Sequence, residues 1–592
     1  MCRLKFFCLL VTGFVLLLSA GVVQAADTPS AVAPVMRLLK SGRVPAARME
    51  AIVEQVIRRG NEHDLAYIYE QASGTDAYDP ELRLHIYNLL ADAAAERQVI
   101  PAGDLSSLVD VISSDQAAAS PELRLAAIRL AGDWRVAQAA ESLQSLLVNP
   151  ETPENVRQAA LHSLTLIGGD VARQAIVSLT DATHPVSVRS EAVAALASLD
   201  LPIAVEQAVG VLNGMNADDD PTGIVSAFLD VQGGSDQLAT AIEQSPPSKE
   251  IAMLSLRHMY SQGRSDASLS TVLGTIAGIE ADPQPLSPEQ VAAKLKEVEA
   301  HGDASRGEAV FRRADLSCMK CHAVSKGGGQ VGPDLSALGA SSPVDYIINS
   351  ISNPDQQIKE AFVTRIVITE QGLIHQGIVI DRTGERLVLK DAKGKQLTIP
   401  IASIDEEVEG KSLMPKGLMK FMTDSEFLDL VKFLSMLGKP GTEYAIRQTP
   451  RMQRWRVLSS PPAELSGPTV DESVLEEYMA SDPKTVPAYS RVNGDLPLGE
   501  LARDTNPVLW LQAEVDVSQD GDIGISLDSA EGVQTWVGPR SSIEDQITVT
   551  LPRGSHQILL RVDTAARSSD VLRLELFRVE GSSAEFTVVD GA

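Results

Sequence analysis

The chain has 592 residues, which corresponds to about four domains at roughly 150 residues each. Hydrophobic residues make up 44% and charged residues 22%, which excludes a wholly disordered or fibrous chain. The formal net charge of −28 repels phosphate groups, so nucleic acid is not expected as a partner. Aromatic residues are only 4%, and the Ala- and Leu-rich first half favours stacked helices.

The N-terminus has the features of a secretory signal peptide. Arg3 and Lys5 precede an apolar run over 6–18, and small residues then lead to Val23-Gln24-Ala25. A run this short before a V-x-A site predicts a cleaved signal, with an uncleaved anchor as the alternative. We therefore expect residues 1–25 to be removed. The mature protein should have no membrane span and be soluble, in the periplasm or otherwise exported.

Residues 26–285 are predicted to form HEAT-like helical repeats. A similar phrase opens an apolar helical run at Pro121, Pro153 and Pro185. Proline is tolerated in a first helical turn, because its missing N–H would have no partner there. Self-similarity with a period of roughly 30–45 residues is typical of a helical solenoid. The proline-rich segment 282–288 is expected to close the array.

The cysteines point to one cofactor. Two of the four leave with the signal, and the mature chain keeps only Cys318 and Cys321, followed by His322. C-x-x-C-H is the attachment motif of c-type haem, since two thiols add to the vinyl groups of one porphyrin and the adjacent His lies under the iron. A redox dithiol needs no such His, and a zinc site needs more ligands. We expect one covalent haem c, with His322 as the proximal iron ligand.

Residues 286–440 are therefore predicted to form a mono-haem, class I-like cytochrome c domain. The stretch 303–313 has the pattern of a helix, and Thr423 begins another with the spacing of a capping box. Between them, alternating stretches separated by turn residues predict a β insertion over about 362–405. Its predicted strands are 363–369, 373–380, 386–389 and 396–401.

This segment resembles the c-type haem-binding domain of planctomycete and verrucomicrobial type. The matching motifs are Gly307, Phe311, Cys318–His322, Gly329–Leu335, Tyr346–Pro354, Ser412–Pro415 and the helix 423–437. In that family, helical repeats often precede the haem domain. Many members also carry a β-propeller that resembles sugar dehydrogenases. This chain has no blade-like repeat, so the resemblance does not imply dehydrogenase activity.

The sixth iron ligand is expected to be a thioether or an imidazole. Met414 is favoured, because it lies in a loop before the last helix beside Pro415, and the resemblance points to it as well. Met419, His375 and an open site remain alternatives. Met422 is predicted to pack in a hydrophobic staple.

Pro333 and five lysines beside the motif have two interpretations each. Pro333 follows His322 by 11 residues; its carbonyl either accepts the Nδ1–H of the proximal His, as in c-type cytochromes generally, or it is a plain turn proline. The triplet Gly327–Gly329 is expected to be a flexible loop. Five lysines either form a basic rim that steers an acidic partner or are simply solvated: Lys320, Lys326, Lys411, Lys416 and Lys420.

The C-terminal part is predicted to be all-β. Residues 441–483 are expected to be a linker, and 484–592 alternate apolar and polar residues like a jelly-roll-like β-sandwich. Carbohydrate is a possible ligand there, since Trp510 and Trp536 could stack on sugar, although core packing is the favoured role of each.

These predictions together describe a multidomain α+β protein that transfers single electrons. His and Met ligands leave no open coordination position, which favours electron transfer over oxygen chemistry. The expected partner is an unidentified oxidoreductase, with the helical repeats and the β-sandwich as docking modules. No nicotinamide, flavin or quinone fingerprint is present, and no catalytic residues are expected. The alternatives are a cytochrome subunit of a periplasmic dehydrogenase complex and a haem-based sensor or scaffold.

Overall fold

The computed structural model describes residues 30–589 apart from a few short gaps. The gaps are 75–77, 98, 114–119, 150, 280–284, 448–449, 468 and 502–506. The predicted signal peptide at 1–25 therefore lies outside the described residues. The chain is mixed α and β and divides into two compact units, Met1–Ala175 and Ile176–Ala592. None of the helices in the described ranges is long and apolar enough to cross a membrane.

The described part of the first unit is helical, and a last helix runs across its boundary. The helices are α1 (Ala33–Lys40), α2 (Ala46–Arg59), α3 (Glu62–Ser73), α4 (Pro80–Arg97), α5 (Ser107–Ser113), α6 (Pro121–Asp133), α7 (Ala140–Val148), α8 (Glu154–Ile167) and α9 (Gly169–Ser178). The prolines of the recurring phrase lie at helix starts, as predicted. Pro121 is the first residue of α6, and the Ser120 side chain before it caps the Leu123 N–H at 3.2 Å. Pro153 is the N-cap of α8.

The second unit begins with six more helices. They are α10 (Val186–Leu199), α11 (Leu201–Asn213), α12 (Thr222–Leu229), α13 (Gly234–Gln244), α14 (Lys249–Ser261) and α15 (Ala267–Ala277). Helix α10 packs against α11 and α12, and α14 packs against α12 and α15. The buried side chains between them are mostly Ala, Leu, Ile and Val, which suit closely packed helices. The helical repeats thus continue up to residue 277.

Six helices follow in the region predicted to hold haem. They are α16 (Pro288–His301), α17 (Ala304–Arg312), α18 (Cys318–Cys321), α19 (Leu338–Ser341), α20 (Val344–Ser352) and α21 (Asp424–Met436). The predicted capping box is present at the start of α21. The Glu426 N–H donates to Thr423 Oγ1 at 3.2 Å, and the Thr423 N–H donates to Glu426 Oε2 at 2.7 Å. Helices α17 and α21 cross closely, and Phe311 packs against Phe433 there.

Two antiparallel sheets lie within this region. A short hairpin joins β1 (Ala323–Val324) to β2 (Gly327–Gly328). The larger sheet has five strands in the order β6-β5-β4-β3-β7. They are β3 (Thr364–Thr369), β4 (Ile374–Arg382), β5 (Arg386–Lys390), β6 (Gln396–Pro400) and β7 (Ile404–Glu409). The first four lie where strands were predicted, whereas β7 was missed and extends the sheet beyond residue 405.

The C-terminal region consists of antiparallel sheets and one helix. Its elements are β8 (Arg454–Leu458), α22 (Glu472–Ala480), β9 (Thr485–Tyr489), β10 (Leu496–Pro497), β11 (Val508–Gln519), β12 (Gly521–Leu527), β13 (Val533–Val537), β14 (Arg540–Ser542), β15 (Gln546–Leu551), β16 (Gly554–Asp563), β17 (Val571–Leu572), β18 (Leu574–Arg578) and β19 (Glu585–Val588). A seven-stranded sheet around β11 and a three-stranded sheet around β12 share one apolar core, which includes Leu511, Leu560, Ile523 and Leu576.

In this region one prediction needs correction, and the favoured core packing of two tryptophans is confirmed. The segment 441–483 is more than a linker, because it contains α22 and β8, and β8 pairs with both β9 and β11. Trp455 of β8 is fully buried, and its Nε1–H donates to Ser490 Oγ at 2.9 Å. Trp510 and Trp536 are 1% and 6% exposed, with ring centroids 5.3 Å apart. Rings packed in this way cannot stack on a sugar, so the carbohydrate interpretation loses its only support.

Candidate haem site

The C-x-x-C-H motif forms one turn of helix. Cys318 to Cys321 make up α18, and the His322 N–H closes the turn by donating to the Cys318 carbonyl oxygen at 2.9 Å. Ser317 precedes the turn with a φ of 56°, a left-handed conformation that redirects the chain into the helix. Both thiols and the imidazole are thereby held together by backbone structure that the motif itself forms.

These three side chains line one cavity of about 260 Å³. Met414 lies on the same cavity, although it is far from the motif in sequence. The surrounding side chains are mainly apolar and belong to the core of the region. Examples are Phe311, Leu316, Ile347, Ile351, Leu430 and Leu434. The cavity therefore combines two thiols, an imidazole and a thioether with an apolar lining.

The protonation of His322 follows from its surroundings. Its Nδ1 lies 2.9 Å from the Pro333 carbonyl oxygen. A carbonyl oxygen can only accept, so Nδ1 carries the hydrogen and donates it. Burial lowers the pKa of His322, despite the opposing effect of this hydrogen bond, and so favours the neutral ring. In that tautomer Nε2 keeps its lone pair, which is the state required of a metal ligand.

Glycines allow the chain to pack this tightly around His322. A Cβ on Gly332 would lie 2.7 Å from Cε1 and 2.9 Å from Nδ1 of the imidazole. A Cβ on Gly329 would lie 2.6 Å from the Lys320 carbonyl carbon, and Gly328 has a φ of 111°. Gly327 and Gly328 are buried in strand β2. The glycine triplet, expected to be a flexible loop, is a packed element against the backbone of α18.

The two thiols do not have the properties of a redox dithiol. Both cysteines are free. Burial raises the pKa of Cys318 to about 12 and also raises the pKa of Cys321. Catalytic dithiols instead have lowered pKa values, because the thiolate is the reactive form. The site therefore holds two protonated thiols at neutral pH.

Met414 lies in a loop that several hydrogen bonds hold in place. Its N–H donates to Ser412 Oγ at 3.1 Å, and the Ser412 N–H donates to Asp355 Oδ1 at 3.0 Å. Lys416 forms an ion pair with the same carboxylate, 2.9 Å from Oδ2. At the start of the loop, Thr364 Oγ1 donates to the Lys411 carbonyl oxygen at 2.6 Å.

The alternative distal ligands are placed differently. Among the described residues, the thioethers that line the cavity belong to Met414 and Met422, and Met419 and His375 are not part of the lining. His375 is in β4, opposite Val367. Met422 does pack against the apolar core that contains Phe427, but its position on the cavity was not predicted.

The helical repeats also contribute to the cavity. Arg257, Tyr260 and Ser261 of α14 lie on its lining. The Tyr260 and Phe421 rings meet edge to face, with centroids 5.7 Å apart, and Arg257 Nη2 is 3.5 Å from Asp315 Oδ2. The sequence carried no signal for this contribution, because α14 has the ordinary pattern of a repeat helix.

Most of the lysines near the motif are engaged locally. Lys320 Nζ donates to the Ser261 carbonyl oxygen at 3.3 Å, and Lys420 Nζ lies 3.4 Å from the Tyr260 hydroxyl. Lys416 pairs with Asp355 as described above. Lys326 and Lys411 are exposed. A basic rim around the site would therefore depend mainly on the last two.

Comparisons with known proteins support only the repeats. A family model for HEAT repeats matches residues 105–197, and the search of curated proteins gives no match. No group of three or more His, Cys, Asp or Glu side chains within the described ranges could hold a metal ion. The assignment of a cofactor therefore depends on the chemistry of the cavity.

Proposed function

We propose that this chain is an exported, mono-haem c-type cytochrome that exchanges single electrons with a periplasmic oxidoreductase. The observation that carries the proposal is that Cys318, Cys321, His322 and Met414 share one apolar cavity. The helical repeats and the β-sandwich act as docking modules for the partner. The haem segment belongs to the class I-like cytochromes c in this proposal, as its resemblance implies.

The residues present fit a covalent haem. The two free thiols are available for thioether bonds, the neutral His322 ring has its Nε2 lone pair free for iron, and Pro333 holds the other ring nitrogen. Met414, on the same cavity, would supply a soft thioether ligand to the iron. The apolar side chains of the cavity exclude water. When bound, the haem iron supplies the one-electron change between ferric and ferrous states.

Covalent attachment is tested with the full chain, expressed in a host that matures c-type cytochromes. The wild type should keep a haem-dependent peroxidase stain on a denaturing gel. The double variant Cys318→Ala/Cys321→Ala should lose the stain, whereas Met319→Leu, inside the same motif, should keep it. An unstained wild type, or a stained double variant, would refute the proposal. Removing residues 1–25 should give colourless protein if attachment requires export.

Carbon monoxide tests whether Met414 closes the distal position. The oxidised wild type should show the weak far-red band of sulfur–iron charge transfer, and the reduced wild type should bind the gas slowly or not at all. Met414→Ala should lose the band and bind the gas rapidly. Met422→Ala, which alters the other thioether on the cavity, should behave like the wild type. Rapid, complete binding by the wild type would instead favour a haem-based sensor.

A further inference from the structure

The turn after helix α14 is in direct contact with the loop that carries Met414. Gly263 has a φ of 66° and faces Leu413, the residue immediately before Met414. A Cβ on Gly263 would lie 2.8 Å from the Leu413 carbonyl oxygen and 3.3 Å from its Cα. Real Cβ atoms do not approach backbone oxygens this closely, so only glycine allows the two backbones to meet here.

Contacts on both sides of Gly263 continue this junction. Tyr260, which is 3% exposed, packs edge to face against Phe421, and its hydroxyl lies 3.4 Å from Lys420 Nζ. Ser261 accepts a hydrogen bond from Lys320 of α18. The end of α14 therefore contacts both segments that carry the proposed haem ligands. These segments are the loop with Met414 and the helix α18 of the C-x-x-C-H motif.

We infer that Gly263 is a positioning residue for Met414, and that the end of α14 is part of the haem site. The inference rests on the proposed function, because it assumes that Met414 binds iron. Asp355 holds the loop through Ser412 and Lys416, on either side of Leu413 and Met414. Close packing against Gly263 fixes the backbone between these two anchors, which is where the distal ligand is placed.

A matched pair of glycine substitutions tests the inference. Gly278 ends the next helix, α15, with a φ of 70°, and a Cβ there would meet only the end of the Lys249 side chain at 3.7 Å. Gly263→Ala and Gly278→Ala therefore impose the same unfavourable left-handed alanine. Only the first also presses on Leu413.

The measurements use holoprotein with equal haem content. Gly263→Ala should weaken the far-red band. It should also speed carbon monoxide binding to the reduced protein by about tenfold. This factor corresponds to a change of about 1.4 kcal/mol in the free energy between the closed loop and a loop open to the gas. Gly278→Ala should keep the wild-type band and rate. Equal effects of the two substitutions, or no effect of Gly263→Ala, would overturn the inference.

A second variant keeps the test decisive if Gly263→Ala fails to fold. Phe421→Leu removes the edge-to-face contact with Tyr260 while keeping an apolar side chain at that position. It should change the band and the binding rate in the same direction, and a wild-type spectrum from this folded variant would count against the inference. A wild type that lacks the band refutes iron ligation by Met414, which is a failure of the proposed function and is recognised before any variant is made.

Discussion

Replacing Gly307 by alanine tests how closely the two helices beside the cavity must cross. Helix α17 supplies Phe311 to the cavity and α21 supplies Leu430 and Leu434. The helices meet at Gly307, where the backbone of Asp429 lies directly against the glycine. A change at this crossing should therefore affect both helices.

The size of the effect follows from the distances. A Cβ at residue 307 would lie 2.5 Å from the Asp429 carbonyl carbon and 2.7 Å from the Phe433 Cβ. The nearest atom is the Asp429 carbonyl oxygen, so the helices would have to separate by about 1.5 Å to restore ordinary contacts of roughly 3.5 Å. Overpacking of this kind costs about 1–3 kcal/mol, occasionally more, whereas alanine gains about 0.5–1 kcal/mol over glycine in a helix. We expect a net loss of about 1–2 kcal/mol.

Hydrogen exchange read by mass spectrometry measures the result for each helix separately. Gly307→Ala should speed exchange in α17 and α21. The matched control is Gly210→Ala in α11, because a Cβ there would have nothing within 4 Å. This control should slow exchange in its own helix, by the gain in helix propensity alone. Unchanged or slower exchange in α17 and α21 of Gly307→Ala would show that the two helices leave room for a Cβ at their crossing.

Three further outcomes are expected. Gly332→Ala should displace the His322 ring and lower haem incorporation, measured as the ratio of Soret to protein absorbance; full incorporation would contradict this steric argument. Asp429→Asn should destabilise the region of helices α16 to α21 by about 1–3 kcal/mol in denaturant unfolding, because this carboxylate accepts hydrogen bonds from Arg306 and from the Asp303 N–H. An unchanged unfolding midpoint would contradict this. Burial raises the pKa of Glu308, so the folded state holds its proton more tightly than the unfolded chain. Its contribution to stability is complete below the ordinary pKa and is lost as pH rises through the raised one. Glu308→Gln should therefore lose less stability than the wild type as pH rises above the ordinary glutamate pKa; parallel stability curves for the two proteins would contradict this.

Features that depend on neighbouring residues were predictable from the sequence. The capping box at Thr423 needs only a hydroxyl and a carboxylate three residues apart, and both of its hydrogen bonds are present. The sequence left two roles open for Pro333, and the structure places its carbonyl oxygen within hydrogen-bonding distance of the His322 ring nitrogen. Short-range patterns of this kind carry their own geometric requirements.

The sequence patterns did not predict the strands whose stability comes from partners distant in the chain. Strand β7 has the sequence Ile404–Glu409, four of whose six residues are acidic, and no β pattern is evident in it. Its structure depends on pairing with β3. Ion pairs of Arg365 with Glu409 and of Arg382 with Glu407 stabilise this acidic strand. Strand β8 lies among prolines and polar residues, so it was included in a linker. Its place in the sheet depends on the burial of Trp455.

In the candidate site too, the features set by residues close in sequence were predictable, and those set by distant residues were not. The motif identified Cys318, Cys321 and His322. The roles of the nearby glycines could not be predicted, because they depend on which residues each glycine contacts in the folded chain. Gly332 contacts the His322 ring and Gly263 contacts Leu413, the residue before Met414, so a Cβ cannot fit beside one proposed iron ligand or beside the neighbour of the other. An electron carrier functions best when its ligands move little between oxidation states. If the proposal is right, Gly332→Ala and Gly263→Ala should each alter the haem spectrum, whereas Gly278→Ala, which imposes the same left-handed alanine as Gly263→Ala, should leave it unchanged.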